Sequence, residues 1–378
     1  MRFMRNALAL AAKGAGWVAP NPQVGAVLVK GGEVIGSGWH IKCGELHAER
    51  EALADCARRG NDPAGATLYV TLEPCCHTGK QPPCTQAVIS AGISRVVVGS
   101  PDPNPLVAGK GNAALREAGI QVDEGCLTSQ CDNLNREWLY FIQTGLPYVT
   151  MKYAMTLDGK IATHTGDSKW VTGALARARV HEDRAKTAAV MAGIGTVLAD
   201  DPLLTARPQG QEHVHQPARV ILDAQLKCPL DSQLARSAKD SPVYLACSAE
   251  TSADKRHKLE DAGCHIIELD SVDGLIDMRC LLKRLGELGC DSVIAEGGGR
   301  LHASLLESGL VNRVQAYIAP KLVGGHDALS PVEGAGIEAM RDALQLEDVS
   351  VELLGQDLLV TGYTALDAKG GVPCSRES

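Results

Sequence analysis

Apolar positions recur at helical spacing from Phe3 to Lys13, and Gly14 and Gly16 end that run. The pattern then turns strand-like. Val24 to Val29 and Val34 to Trp39 flank Gly31-Gly32, which predicts a β-hairpin after the turn Asn21-Pro22-Gln23-Val24-Gly25. A helix opens at His47 and runs to Arg59, with Gly60 after it. Ala66 to Leu72 and Arg95 to Gly99 are apolar runs of strand length. Pro82-Pro83 suits the first turn of a helix from Thr85 to Ala91, closed by Gly92. The order α-β-β-α-β-α-β predicts a sheet with helices on both faces. Gly125 to Gly145 predicts a helix packing back on this first domain.

Gly145-Leu146-Pro147 breaks the pattern, so the domain boundary is expected there: 1–145 and 146–366. The pattern restarts with a strand from Val149 to Met155 and the turn Leu157-Asp158-Gly159-Lys160. A helix runs through Arg184. Strands are predicted at Ala189 to Gly195, Arg219 to Asp223, Val243 to Cys247, His265 to Leu269 and Ser292 to Ala295. Helices lie between several of them, notably Ala253 to Ala262 and Leu275 to Leu288. Arg313 to Ala319 and Val349 to Gly362 read as strands with a final antiparallel hairpin. This is a second α/β domain without an internal repeat of the first. Residues 367–378 are expected to form a disordered tail.

Composition narrows the function classes. At 378 residues the chain can bury two cores. Its net charge of −8 and its 2 Phe, 4 Trp and 7 Tyr argue against a long nucleic-acid groove. No apolar run is long enough to span a membrane, and the N-terminal run is too short for a secretion signal. Thirteen scattered cysteines then read as reduced thiols of a cytoplasmic protein.

The candidate chemistry begins at His47-Ala48-Glu49, Leu72-Glu73-Pro74-Cys75-Cys76-His77 and Pro82-Pro83-Cys84. One imidazole and two thiolates suit Zn²⁺, which keeps an open position when it is catalytic. A carboxylate two residues beyond the histidine can move protons without binding the metal. H-x-E…P-C-x-x-C marks zinc nucleobase deaminases, but here the second thiol comes later. His47, Cys75 and Cys84 are the expected ligands, with Cys76 and His77 as rivals on the same loop, and Glu49 as the catalytic acid/base. Singly, a lone histidine or a buried cysteine is ordinary; it is their order that favours a metal. In the second half, Glu296-Gly297-Gly298-Gly299-Arg300-Leu301-His302 runs from strand to helix, a suitable anion site but not the dinucleotide fingerprint.

Asn21-Pro22-x-Val24-Gly25, Gly38-Trp39-His40, His47-Ala48-Glu49, Glu73-Pro74-Cys75…Pro82-Pro83-Cys84 and Asp102-Pro103-Asn104-Pro105 resemble the deaminase half of the bifunctional deaminase/reductase family of riboflavin biosynthesis. The late second cysteine is a mark of that family. Met151-Lys152-Tyr153-Ala154-Met155-Thr156-Leu157-Asp158-Gly159-Lys160, Ser168-x-Trp170, Gly195-Thr196…Asp200-Asp201-Pro202 and Glu296-Gly297-Gly298-Gly299 resemble its reductase half. The resemblance implies a cytidine-deaminase-like α/β/α domain followed by a dihydrofolate-reductase-like domain. It implies one Zn²⁺, NADPH, and pairing of chains through the reductase domain. It also implies deamination of a phosphoribosylaminopyrimidine, followed by reduction of its ribosyl group to ribityl.

Carried over by position, Asn21, His40, His77, Lys80, Asp102 and Asn104 would line the deaminase pocket. Ala154, Trp170, Thr196, Asp200 and Gly298, Gly299, Arg300, Leu301, His302, Ala303 and Ser304 would contact the cofactor. Lys152, Ser168, Arg184, Leu204, Arg207 and Glu296 would contact the reductase substrate, with Arg184 and Arg207 as a fork for its phosphate. Trp39 and Cys76 depart from the family's usual Tyr or Phe and small residue. Two rival readings remain: a nucleoside or tRNA deaminase with a binding module, and a structural zinc domain fused to a nucleotide sensor. The acidic charge weighs against tRNA, and Glu49 beside a three-ligand set weighs against a closed structural site.

Overall fold

A computed structural model describes residues 1–365 apart from 78–81, 105–106, 211–212 and 273. The chain divides into two compact units, Met1–Gln143 and Thr144–Ser378.

The first unit begins with α1 (Arg2–Ala11), followed by the hairpin β1 (Gly25–Lys30) and β2 (Glu33–Trp39). Then come α2 (Ala48–Arg58), β3 (Thr67–Leu72), α3 (Cys84–Ser90) and β4 (Arg95–Ser100). The unit continues through α4 (Lys110–Glu117), β5 (Gln121–Asp123) and α5 (Thr128–Leu134), and its last helix is α6 (Arg136–Thr144). The sheet order is β2-β1-β3-β4-β5, antiparallel across the first three strands and parallel across the last three. One apolar layer, including Leu28, Leu68, Val70, Val96 and Val98, packs against Ala48, Ala52 and Cys56 of α2 and Val88 of α3. The other packs Val27, Val29 and Val97 against Met4 and Ala7 of α1 and Cys131 of α5.

Register decides where the chemistry lies. Leu72 pairs with Ser100, so β3 and the parallel β4 release their loops at the same edge. Gly25 pairs with Trp39, and the Gly25 amide donates to Thr71 Oγ1 at 3.1 Å, so the Asn21–Gln23 turn and His40 reach that edge too. Close approach of α2 to β2 needs glycine: a Cβ at Gly38 would lie 2.5 Å from the Ala52 nitrogen.

The sequence reading ends this sheet at β4; α4 and β5 extend it by one strand. The single helix expected over Gly125 to Gly145 is two helices broken at Asn135. Asn135 Oδ1 accepts the Gln23 amide at 2.8 Å and its Nδ2 donates to Gln23 O at 2.9 Å, holding the Asn21–Gly25 turn.

The second unit contains β6 (Tyr148–Thr156), α7 (Ala174–Arg184), β7 (Ala189–Gly193), α8 (Ile194–Asp200), β8 (Ala218–Leu222) and α9 (Gln233–Arg236). Next are β9 (Val243–Ser248), α10 (Ala253–Asp261), β10 (His265–Leu269), the short ribbon β11 (Ser271–Val272) and β12 (Leu275–Ile276), and α11 (Met278–Glu287). It closes with β13 (Ser292–Ala295), α12 (Gly299–Glu307), β14 (Arg313–Ala319), β15 (Glu347–Leu354) and β16 (Asp357–Tyr363). The main sheet runs β10-β9-β8-β7-β13-β6-β14-β16-β15. Its strands are parallel from β10 to β14, and the last two pair antiparallel as expected.

Three boundaries differ from the sequence pattern. The strand expected to Gly195 stops at Gly193, where α8 begins. The helix expected from Leu275 starts at Met278, because Asp277 caps it by accepting the Arg279 and Cys280 amides at 2.8 and 3.0 Å. The glycine-loop helix starts at Gly299, two residues before Leu301. Residues 366–378, including the expected tail, lie outside the described residues.

The tight α2–β2 contact gives a stability test. Gly38→Ala should cost the first unit about 1–3 kcal/mol by overpacking, read as a lower urea midpoint than wild type.

Candidate active sites

The first site is assembled by three segments. His47 is the N-cap of α2, Cys75 follows the end of β3, and Cys84 is the first residue of α3. His47 Nδ1 lies 3.6 Å from Cys75 Sγ and 3.4 Å from Cys84 Sγ. The three donor atoms all lie within 4.8 Å of one another. Ligands about 2.0–2.3 Å from a tetrahedral zinc would show this spacing, so the donor set fits the ion. Among the described residues no other group of three His, Cys, Asp or Glu side chains is arranged to hold a metal. Of the rival ligands Cys76 and His77, neither belongs to the triad.

Electrostatics match that use. Hydrogen bonding with Cys84, and then with His47, pulls the Cys75 thiol down to about 4 against the cost of burial, while the same contact drives Cys84 up. The Glu49 carboxyl is buried beside them and within hydrogen-bonding contact of Cys84. Burial, and then the Cys75 charge, raise its affinity for a proton. His40 stacks edge-on against His47 with ring centroids 5.2 Å apart, and its Nε2 lies 3.1 Å from Asn21 Nδ2. Asp102 is pushed up to about 6, chiefly by burial, and its Oδ1 accepts the Asn104 amide at 2.8 Å. His77 is close enough to Asp102 to act on its charge. Lys80 lies outside the described residues.

Glu73 has a role that the sequence reading left unassigned. Its buried carboxylate accepts the amides of Asp102 at 3.4 Å, Gly109 at 3.0 Å and Asn112 at 3.1 Å. It thereby caps α4 and ties the Cys75 loop to the Asp102 loop. Gly111 lets the helix sit this close, since a Cβ there would lie 2.1 Å from Pro74 O. The available signal was an acid at the end of a buried strand, immediately before Pro-Cys.

In the second unit, chain connections diverge from the adjacent strands β7 and β13: β7 is followed by β8 on one side, and β13 by β14 on the other. Such switch points open a crevice at the carboxyl ends of the strands. Gly193 and Gly298 are the N-caps of α8 and α12 there, and a Cβ on either would meet open space. Thr196 and Asp200 lie on α8, and Ser168 Oγ donates to Asp200 Oδ1 at 3.4 Å. Trp170 is 64% exposed and stacks on Arg177 at 4.5 Å. Ala154 shares β6 with Lys152. Of the α12 residues, Arg300 is exposed, Ser304 half-buried, and Gly299, Leu301, His302 and Ala303 are buried. The His302 ring lies between Pro331 O at 2.8 Å and Ala295 O at 3.2 Å.

Glu296 is the charged centre of this site. Arg184 grips it through Nε at 2.7 Å and Nη2 at 2.8 Å, and Lys152 Nζ approaches at 3.2 Å. Arg184 Nη1 donates to Thr205 O at 3.0 Å. Of the two arginines expected as a fork, Arg184 faces Glu296 and Thr205, Arg207 is exposed, and the two lie close enough for the Arg184 charge to act on Arg207. Leu204 is buried at a positive φ of 54°. Its loop is held from beneath by the fully buried Arg219, which donates to Leu203 O at 3.3 Å, Ser237 Oγ at 2.7 Å and Ser237 O at 3.0 Å.

Comparison with known proteins matches residues 1–100 to the cytidine and deoxycytidylate deaminase zinc-binding region and residues 147–360 to the RibD C-terminal domain. The riboflavin biosynthesis protein RibD of Actinobacillus pleuropneumoniae is 49% identical over 361 residues, 95% of this chain and 93% of that protein. The chain belongs to the RibD family. RibD of Escherichia coli is 38% identical over 94% of this chain and 97% of its own length. A solved Acinetobacter baumannii RibD superposes with a TM-score of 0.87 at 37% identity, covering 96% of this chain and 98% of that one. A Thermotoga maritima structure described as a diaminohydroxyphosphoribosylaminopyrimidine deaminase/5-amino-6-(5-phosphoribosylamino)uracil reductase gives 0.84 at 36% identity, with the same coverage. As a RibD protein, the chain is a deaminase and a reductase of riboflavin biosynthesis, with a zinc-binding deaminase domain and an NADPH-using reductase domain.

The Glu296 cluster makes the stability of the second unit depend on pH. Burial pushes the Glu296 carboxyl up, but the charges of Arg184 and Lys152 outweigh burial and hold it well below the usual range. A carboxyl depressed in the folded state stabilises the fold above its unfolded value of 4.5 and loses that contribution as pH falls through the folded value. Glu296→Gln should therefore cost the second unit about 3–5 kcal/mol near neutrality. The gap to wild type should narrow as thermal melts are taken to pH values progressively below 4.5.

Proposed function

We propose that residues 1–145 remove the exocyclic amine of 2,5-diamino-6-(5-phosphoribosylamino)pyrimidin-4-one, and that residues 146–366 reduce the ribosyl group of the resulting 5-amino-6-(5-phosphoribosylamino)uracil. The observation that carries the first half is the convergence of His47 Nδ1 with Cys75 and Cys84 Sγ beside the buried Glu49 carboxyl. His47, Cys75 and Cys84 hold the zinc. When bound, it supplies Lewis acidity and makes hydroxide available at neutral pH. A Glu49 carboxylate oxygen takes one proton from the attacking water and gives it to the ring nitrogen, then takes the second from the hydroxyl now bonded to carbon and gives it to the amine, which leaves as ammonia. Burial raises the affinity of the Glu49 carboxyl for a proton, the direction that a proton shuttle needs. Asn21, His40, His77, Asp102 and Asn104, with Lys80 by its position in the sequence, orient the heterocycle and its phosphate. The sheet register supports this by bringing β3, β4 and the β1–β2 hairpin ends to one edge.

In the second unit the cofactor NADPH, when bound, supplies a hydride for C1 of the ribosyl group. Gly298 and Gly299 at the start of α12, with Thr196 and Asp200 on α8, would hold the cofactor. Ala154, Trp170 and the segment from Arg300 to Ser304 complete the cofactor side. Lys152 Nζ, held by Glu296, steadies the sugar oxygen. Ser168 and Leu204 line the substrate side, and Arg207 takes its phosphate together with Arg184, which also braces Glu296 and the Leu204 loop.

The chain works in water as a homo-oligomer, in the cytoplasm. Among the described residues no helix is long and apolar enough to cross a membrane. Pairing through the second unit is favoured by the edge strand β15, where Val349, Val351 and Leu353 point outward, 54%, 63% and 72% exposed. Val351→Lys should lower the sedimentation coefficient of a chain that otherwise pairs there; an unchanged value would remove β15 from the interface.

One assay tests the two activities together. Wild type should release ammonia from the aminopyrimidine phosphate and then consume NADPH. Glu49→Gln should keep its zinc and release no ammonia, yet still oxidise NADPH when given the deaminated intermediate. Near-normal ammonia release by that variant would remove Glu49 from the mechanism.

A further inference from the structure

The segment that delivers Cys84 has little of its own to hold it. Pro82 and Pro83 have no N–H to donate, and Pro83 is the N-cap of α3 without a side-chain cap. From the Cys75 side, the Cys84 amide points at Cys75 Sγ at 3.4 Å and the Thr85 amide donates to Cys75 O at 3.2 Å. From the other side comes Arg50, in the first turn of α2. Its Nη2 donates to Pro82 O and to Pro83 O, each at 3.2 Å. Its Nε is buried with no hydrogen-bond partner.

Arg50 belongs to the helix that has His47 as its N-cap and Glu49 in its first turn. One guanidinium thus links the helix of the first metal donor to the loop of the third. We infer that Arg50 is a positioning residue that clamps the Pro82–Pro83 arm so that Cys84 stays on the donor triad, and that it sets how long the protein retains zinc. The inference rests on the metal-site reading above. It assigns Arg50 no contact with metal or substrate.

Groups that orient metal ligands typically change metal affinity by about 10–100-fold. The test is the rate at which zinc-loaded full-length protein releases the ion to excess 4-(2-pyridylazo)resorcinol. Arg50→Ala should release zinc about 10–100-fold faster with little change in melting temperature. Arg50→Lys should stay within a few-fold of wild type, because one nitrogen can make both bonds. Arg59→Ala is the control for helix stability: it breaks the ion pair with Asp55 at the far end of α2, 2.8 Å long, and should release zinc at the wild-type rate. With cobalt(II) in place of zinc, Arg50→Ala should also weaken the thiolate-to-metal absorption band. Wild-type release by Arg50→Ala would overturn the inference and leave the metal site standing. Equal acceleration in Arg50→Ala and Arg59→Ala, in step with lowered melting temperatures, would overturn it as an effect of helix stability. A wild-type chain that holds no zinc would instead overturn the metal-site reading, and the inference with it.

Discussion

A ring nitrogen and two sulfurs meet within a few ångströms only if three separate segments end at one edge of a sheet. Parallel pairing of β3 with β4 supplies two loops at that edge, and the antiparallel hairpin adds the ends of β1 and β2. α2 then has to lie close on β2, which Gly36 and Gly38 permit. Two buried side chains also serve this convergence. Glu73 caps α4 and joins the Cys75 and Asp102 loops, and Asn135 pins the turn that carries Asn21. Cys84 and Glu49 are buried and His47 and Cys75 half-buried, with the three donor atoms already within 4.8 Å of one another.

The second unit solves a different problem with charge. A carboxylate as buried as Glu296 would be costly alone, yet two cations hold it ionised. Arg184 uses its planar fork on Glu296 and its remaining nitrogen on a loop carbonyl, tying α7 to the end of β13 and to the Leu204 loop. Lys152 is held at a defined place on β6 instead of sweeping through solvent. Arg219 serves the same loop with no carboxylate among its hydrogen-bond partners: Nη1 and Nη2 donate to carbonyls and a hydroxyl, while the buried Nε has no partner. Fixed charges of this kind are what a hydride transfer needs, since the protein's part is alignment and polarisation.

Much of this was legible in the chain. The hairpin around Gly31-Gly32, the apolar strands and the His47, Cys75 and Cys84 spacing all carry their meaning locally. What was not legible depends on distant partners. α4 begins with a cap supplied by Glu73, 36 residues away from Gly109. The break at Asn135 exists because its side chain binds Gln23, 112 residues away. The contact of Arg184 with Glu296 joins residues that are also 112 positions apart. The start of α11 is the exception: Asp277 was a local capping signal, overridden in the sequence reading by the apolar Leu275-Ile276 pair.

X-ray absorption spectroscopy of the purified chain, with metal analysis, bears most directly on the central claim. The account predicts one zinc per chain, bound by one nitrogen, two sulfurs and one oxygen from solvent. A zinc-free chain, or an ion enclosed by four protein side chains, would contradict it.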